Sequence, residues 1–144
     1  MSETLDAVSF LTEATKAKAS DIFIVAGLPV SYKINGILHQ VGERLMPDST
    51  SRLVHEIYEL AKPRSIDLLL QRGDDDFSFS IPGLSRYRVS TYKQRGSLAA
   101  VIRVITFELP KPDELGIPDT VVQLSDYTKG LVLVTGPAGS GKST

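Results

Sequence analysis

Leu5, Val8, Leu11 and Ala14 recur at helical spacing, so residues 4–18 are expected to form an amphipathic helix, with Thr4 placed to cap its first turn. The period then changes. Ile22-Phe23-Ile24-Val25 is a β-branched and aromatic run closed by Gly27 and Pro29, and Val30-Ser31-Tyr32-Lys33-Ile34 alternates up to Asn35-Gly36. Asn-Gly suits a two-residue turn with positive φ at both positions, so Ile37-Leu38-His39-Gln40 should return antiparallel to the strand before it. Beyond Pro47, the residues Leu53, Val54, Ile57, Leu60 and Ala61 make one apolar helix face that stops before Pro63, and residues 65–71 read as a second, shorter helix. After an acidic turn at Asp74-Asp75-Asp76, Phe77-Ser78-Phe79-Ser80-Ile81 has a period of two, and two further strands fall at about residues 86–92 and 98–105. Helix, three strands, two helices, three strands is the order of an α+β domain with a mostly antiparallel sheet.

The last quarter has a different texture. Between Glu108 and Pro118 three prolines and a glycine restrict the backbone, which suits a semi-rigid linker and divides the chain into residues 1–107, a linker 108–118 and a second unit 119–144. A short helix near residues 120–124 should precede Leu131-Val132-Leu133-Val134, a continuous apolar run of the kind that fills the middle of a parallel sheet. Directly behind it stands Gly136-Pro137-Ala138-Gly139-Ser140-Gly141-Lys142-Ser143, followed by Thr144. The Gly-x4-Gly-Lys-Ser spacing is that of a phosphate-binding loop. Glycines let the backbone approach the phosphates, free amides at the start of a following helix donate to them, Lys142 would reach the β- and γ-phosphates of ATP, and Ser143 would ligate its Mg²⁺. A water-positioning group and a second magnesium-holding carboxylate are supplied by later strands in such proteins, so residues 1–144 alone are expected to bind nucleotide weakly and not to hydrolyse it. An apolar strand parted from its own sheet is also expected to pair with another copy, through residues 130–135.

The hairpin ending in the last strand of the first domain poses a puzzle. With Arg95-Gly96 as its turn, positions whose numbers sum to 191 lie opposite, and Arg88 then faces Arg103. Like charges in direct opposition destabilise a sheet. Tyr87, Val89, Ile102 and Val104 on the other side of the ladder are apolar and suit a core, so the arginines should point outward, where a phosphate could bridge their guanidiniums. Solvation, or pairing with Asp74–Asp76 or Glu43, is the competing expectation.

Composition narrows the rest. With 144 residues, 42% hydrophobic and 23% charged, the chain can build an ordinary core, and it has no long uncharged apolar run. The acids of Met1-Ser2-Glu3-Thr4-Leu5-Asp6 sit where a secretory signal would carry bases, so a cytosolic protein is expected. Without cysteines there are no disulfides or thiolate metal sites, and His39 and His55 have no partner at catalytic spacing. A net charge of −1 with no basic stripe argues against nucleic acid as a partner. The acidic run at residues 74–76 could hold a cation, though a solvated turn is the commoner use of such a run.

Several segments together resemble the type II and type IV secretion ATPase family: Ala19-Ser20-Asp21-Ile22 with Gly27-Leu28-Pro29, Asp76-Phe77-Ser78-Phe79 through Pro82-Gly83 to Arg86-Tyr87-Arg88-Val89-Ser90, and Gly130 through the phosphate loop. The resemblance implies a PAS-like amino-terminal domain followed by the first strand of a RecA-like ATPase domain. It implies a ring-shaped hexamer at the inner face of the cytoplasmic membrane, working against an inner-membrane platform protein. Arginines of the family's first domain reach nucleotide phosphates, and Arg88 and Arg103 stand at the matching positions. Starting directly with this domain favours the pilus-retraction subgroup. The family's catalytic glutamate, Asp box, Walker B strand and His box have no counterpart within residues 1–144. Two alternatives stay open from sequence: a PAS-like binding or assembly module that makes no use of the loop, and, on weaker architectural grounds, a small-molecule kinase.

Overall fold

A computed structural model describes residues 6–106, 111–137 and 140–142. The chain falls into two units, Met1–Phe107 and Glu108–Thr144.

In the first unit, helix α1 (Ala7–Lys16) leads into strands β1 (Asp21–Ile24), β2 (Val30–Ile34) and β3 (Ile37–Val41). Helices α2 (Pro47–Leu60) and α3 (Asp67–Arg72) follow, and then strands β4 (Asp74–Ile81), β5 (Ser85–Gln94) and β6 (Ser97–Ile105). The six strands form one sheet in the order β3-β2-β1-β6-β5-β4, with every neighbouring pair antiparallel. Each half is a meander, and the halves meet where β1 pairs with β6, so the first and last strands occupy the middle. The α+β expectation therefore holds, with a sheet that is antiparallel throughout.

The two hairpins legible from their turns form as their sequences require. Asn35 and Gly36 have φ of 50° and 81°, and Arg95 and Gly96 have 49° and 83°, the left-handed pair that a two-residue hairpin turn demands. A Cβ on Gly36 or Gly96 would meet nothing within 4 Å, so both glycines are there for backbone torsion and not for space.

One core lies between the helices and a single face of the sheet. Phe10, Leu11 and Ala14 of α1 and Leu53, Val54 and Ile57 of α2 pack with Ile22, Ile24, Tyr87, Val89, Ala100 and Ile102, all fully buried. Alternation does the sorting: on β5, Tyr87, Val89 and Thr91 point inward while Arg86, Arg88 and Ser90 are exposed. Polar groups caught on the inner side are satisfied. Tyr87 Oη and Thr15 Oγ1 lie 2.8 Å apart, and Tyr58 Oη donates to Asp75 Oδ2 at 2.9 Å, with Thr91 Oγ1 equally close. Burial pushes the Tyr58 phenol up to about 12, and Asp75 as its neighbour adds to that shift. Asp75 in turn forms an ion pair with Arg64, which stacks over Phe77 with its guanidinium carbon 5.9 Å from the ring centroid. Hydrogen bonding from Arg64 holds the Asp75 carboxyl below the usual carboxylate range, against the opposing effect of its desolvation.

Three local expectations need correcting. Thr4 lies outside the described residues, and the cap of α1 is Asp6, whose carboxylate accepts from the Ser9 amide at 2.9 Å and the Ser9 hydroxyl at 2.7 Å. Asp74, Asp75 and Asp76 are not a turn but the first residues of β4, because β5 offers them ladder partners at Tyr92, Thr91 and Ser90. In the second unit, Leu131–Val134 makes no sheet ladder and its side chains are exposed, Leu131 to 81%. A strand's hydrogen bonds are made to a neighbour, and none pairs with it among the described residues. The short helix expected near residues 120–124 is α4 (Asp119–Val122) running into a 3-10 turn at Gln123–Asp126, and a further 3-10 turn spans Pro112–Leu115.

Candidate phosphate site

The ladder between β5 and β6 places Arg88 directly opposite Arg103, as the Arg95-Gly96 turn dictates, with Tyr87 opposite Val104 and Val89 opposite Ile102 on the buried side. Both arginines lie on the sheet face turned away from the core of the first unit, and both are exposed. They line an open hollow of about 280 Å³ together with Asp21, Asp76, Ser90 and Val101. Next to it, Arg86, Arg88, Asp76 and Ser78 border a second hollow, where Arg86 Nη2 lies 3.4 Å from Ser78 Oγ.

Neither of the two pairings foreseen from sequence relieves the opposed charges. Arg103 instead gives its Nε–H to Asp21 Oδ1 at 3.2 Å, across the β1–β6 ladder. Asp21 is positioned from behind by the Ser20 hydroxyl, which donates to its Oδ2 at 2.9 Å, and its side chain is only 13% exposed against 69% for Arg103. Asp76, on the far side of the hollow, accepts a hydrogen bond from the Ser90 hydroxyl and forms no ion pair with Arg88. Among the described residues the Arg88 side chain has no hydrogen-bond or ion-pair partner. Two guanidiniums thus face one hollow while a single carboxylate touches either of them, a surplus of forked donors suited to phosphate oxygens.

Sequence reading missed Asp21, Ser20 and Ser90 as members of this site, and foresaw Asp76 only as a partner for the arginines. Strand parity could have found Asp21 on the outward face, since Ile22 and Ile24 point inward. The pairing of β1 with β6 joins residues 82 apart in the chain, and no local signal announces it.

The phosphate loop lies in the second unit. Of its predicted residues Gly136, Pro137, Ser140, Gly141 and Lys142 are described, while Ala138, Gly139, Ser143 and Thr144 lie outside the described residues. Pro137 O accepts from Lys142 Nζ at 2.7 Å and from Ser140 Oγ at 2.8 Å, so both donors close on the loop's own carbonyl. A Cβ on Gly136 would sit 2.6 Å from Ser140 Oγ, so the Ser140 side chain folds back over this glycine. Gly141 has φ of 89°, a conformation open to glycine. These residues fit a polyphosphate ligand, with Lys142 the cation that would exchange Pro137 O for phosphate oxygens. Among the described residues no group of acids and histidines is arranged to hold a metal, and no helix is long and apolar enough to cross a membrane.

Over residues 3–144 the chain matches the family described as Type II/IV secretion system protein. It is 35% identical over 141 residues to the type IV pilus retraction ATPase PilT of Pseudomonas aeruginosa, an alignment covering 97% of this chain and 40% of that relative. With the type IV pilus ATPase PilU of the same organism the identity is 34% over 126 residues, covering 87% of this chain and 32% of the relative. The crystal structure of the pilus retraction motor PilT with bound ADP aligns with a TM-score of 0.78 at 39% identity, covering 97% of this chain and 40% of that one. The chain therefore spans 32–40% of the length of these proteins. Its six-stranded antiparallel sheet and its match from end to end agree, and the chain belongs to the type II/IV secretion system protein family.

Proposed function

We propose that this chain is the amino-terminal part of a hexameric, ATP-hydrolysing motor that drives retraction of a type IV pilus. The observation that carries the reading is the opposed, outward-facing Arg88 and Arg103 pair on the open face of the sheet, in a chain that also holds the loop from Gly136 to Lys142. Such a pair is unfavourable by itself and becomes favourable with an anion between its members. The likeness to PilT, a retraction ATPase whose structure was solved with ADP, supports a nucleotide as the source of that anion.

In this reading residues 1–107 are a PAS-like coupling domain, 108–118 a linker and 119–144 the start of a RecA-like ATPase domain. The loop amides and Lys142 bind and orient the β- and γ-phosphates, and Ser143 takes the magnesium site. Magnesium supplies charge neutralisation across the phosphate oxygens. Arg88 and Arg103 act as phosphate sensors, so that nucleotide state changes the surface this domain offers to its neighbours. The ring works at the inner face of the cytoplasmic membrane against a platform protein, and residues 1–144 alone do not turn nucleotide over.

The test is ATP hydrolysis by a chain extended through the remainder of the ATPase domain. Lys142→Ala should lower kcat/KM by about two orders of magnitude or more, a loss typical of removing a group that stabilises developing phosphate charge. Arg88→Ala should lower turnover while leaving the unfolding midpoint unchanged. An extended chain with no affinity for any nucleoside triphosphate in the presence of magnesium overturns the motor reading and leaves a binding module.

A further inference from the structure

On the open face, neighbouring strands place Lys33, Asp21, Arg103, Arg88 and Ser78 side by side in one row, from β2 to β4. Asp21 is the one acid in that row. Within the row it lies on the β1 side of Arg103 and Arg88 lies on the β5 side, so Asp21 borders the hollow yet reaches Arg103 from the side away from Arg88. Its contact is made to Nε alone. A guanidinium has five N–H donors in a planar fork, and holding it side-on at Nε leaves both terminal nitrogens free with their plane fixed. Those terminal nitrogens make no hydrogen bond to any described residue.

Asp21 is itself held. The Ser20 hydroxyl donates to Oδ2 at 2.9 Å and also lies 3.2 Å from the Lys33 carbonyl, and the carboxylate is mostly shielded from water while the arginine it grips is not. A shielded, prealigned acceptor under an exposed fork orients that fork at little further entropic cost when a ligand arrives. We infer that Asp21 is the positioning residue of the phosphate site, fixing Arg103 so that its terminal N–H groups are presented, with those of Arg88, to one anion. This inference rests on the anion reading of the arginine pair proposed above. Asp76 bears on the same hollow from the other side, but it makes its hydrogen bond to Ser90 and to neither arginine.

The experiment uses the 144-residue chain and inorganic triphosphate, read by the Nε–H resonances of Arg88 and Arg103 in nitrogen–proton spectra. Triphosphate should shift both signals in the unmodified chain. Asp21→Ala should weaken binding about five- to tenfold and speed solvent exchange at the Arg103 Nε–H, leaving the Arg88 signal in place. Asp21→Asn, which keeps an oxygen acceptor for Nε, should bind within about twofold of the unmodified chain. Arg103→Lys, which keeps the charge but lacks the whole fork, should lose at least as much as Asp21→Ala, and adding Asp21→Ala to it should cost nothing further, because the fork that Asp21 orients is already gone. Should Asp21→Ala not fold, Asp21→Thr, which suits a strand and is too short to reach Nε, replaces it with the same expected loss and the same faster exchange at Arg103. Equal or tighter binding by Asp21→Ala, or unchanged exchange at Arg103, overturns the positioning role. If triphosphate shifts neither arginine in the unmodified chain, it is the anion reading that fails, and the exchange comparison then decides by itself whether Asp21 orders Arg103.

Discussion

The two faces of strand β5 obey opposite rules. Toward the helices, Tyr87, Val89 and Thr91 are fully enclosed and no buried polar side chain among the described residues lacks a hydrogen bond. Toward solvent, Arg86, Arg88 and Ser90 are exposed, and Arg88 stands opposite Arg103, whose carboxylate partner Asp21 does not reach Arg88. The inner face is complete by itself, while the outer face exposes an arginine with no ion-pair partner among the described residues. Stability should therefore be sensitive to one side of the strand and ligand binding to the other.

The strongest way to break this contrast is on the inner side. Tyr87→Ala removes a fully buried ring and its contact with Thr15, and should cost about 3–5 kcal/mol, seen as a lowered urea midpoint. A smaller effect is expected at Asp75, which sits 6% exposed under Arg64. Asp75→Ala should cost about 2–3 kcal/mol by leaving Arg64 and Tyr58 without their acceptor. The same residue supplies a pH signature. Because its folded pKa is depressed, its contribution is fully present above the carboxyl pKa of the unfolded chain, about 4, and is lost as pH falls through the lower folded value. Stability of the unmodified chain should thus fall more steeply between about pH 5 and pH 2 than that of Asp75→Asn. The smallest effect sharpens the contrast. Arg88→Ala should change unfolding free energy by no more than about 0.5 kcal/mol, in the stabilising direction, since it relieves a like-charge pair on an exposed face.

How much of this was legible in the sequence depends on how local the cause is. Arg95-Gly96 carries its own backbone geometry, so the register of β5 and β6 and the opposition of Arg88 and Arg103 followed from counting. Strand and helix periods located the six strands and the inward residues for the same reason. The acidic run at Asp74–Asp76 was misplaced because a strand start is decided by its partner, here β5, and by Arg64 holding Asp75. Asp21 was overlooked because nothing near it in sequence reveals β6 as its neighbour. Leu131–Val134 shows the converse. An apolar run can announce a buried strand by composition, yet it forms one only where adjoining strands exist to complete its hydrogen bonds.

The central position of β6 has a mechanical consequence. The chain leaves this domain from a strand bonded along both edges, to β1 on one side and β5 on the other. Tension drawn along the segment that follows Ile105 would load two ladders at once and parallel to their length, so many bonds must slide together before any is lost. Peeling an edge strand breaks them one after another at far lower force. A domain tethered in this way can be loaded through its last strand without that strand peeling away.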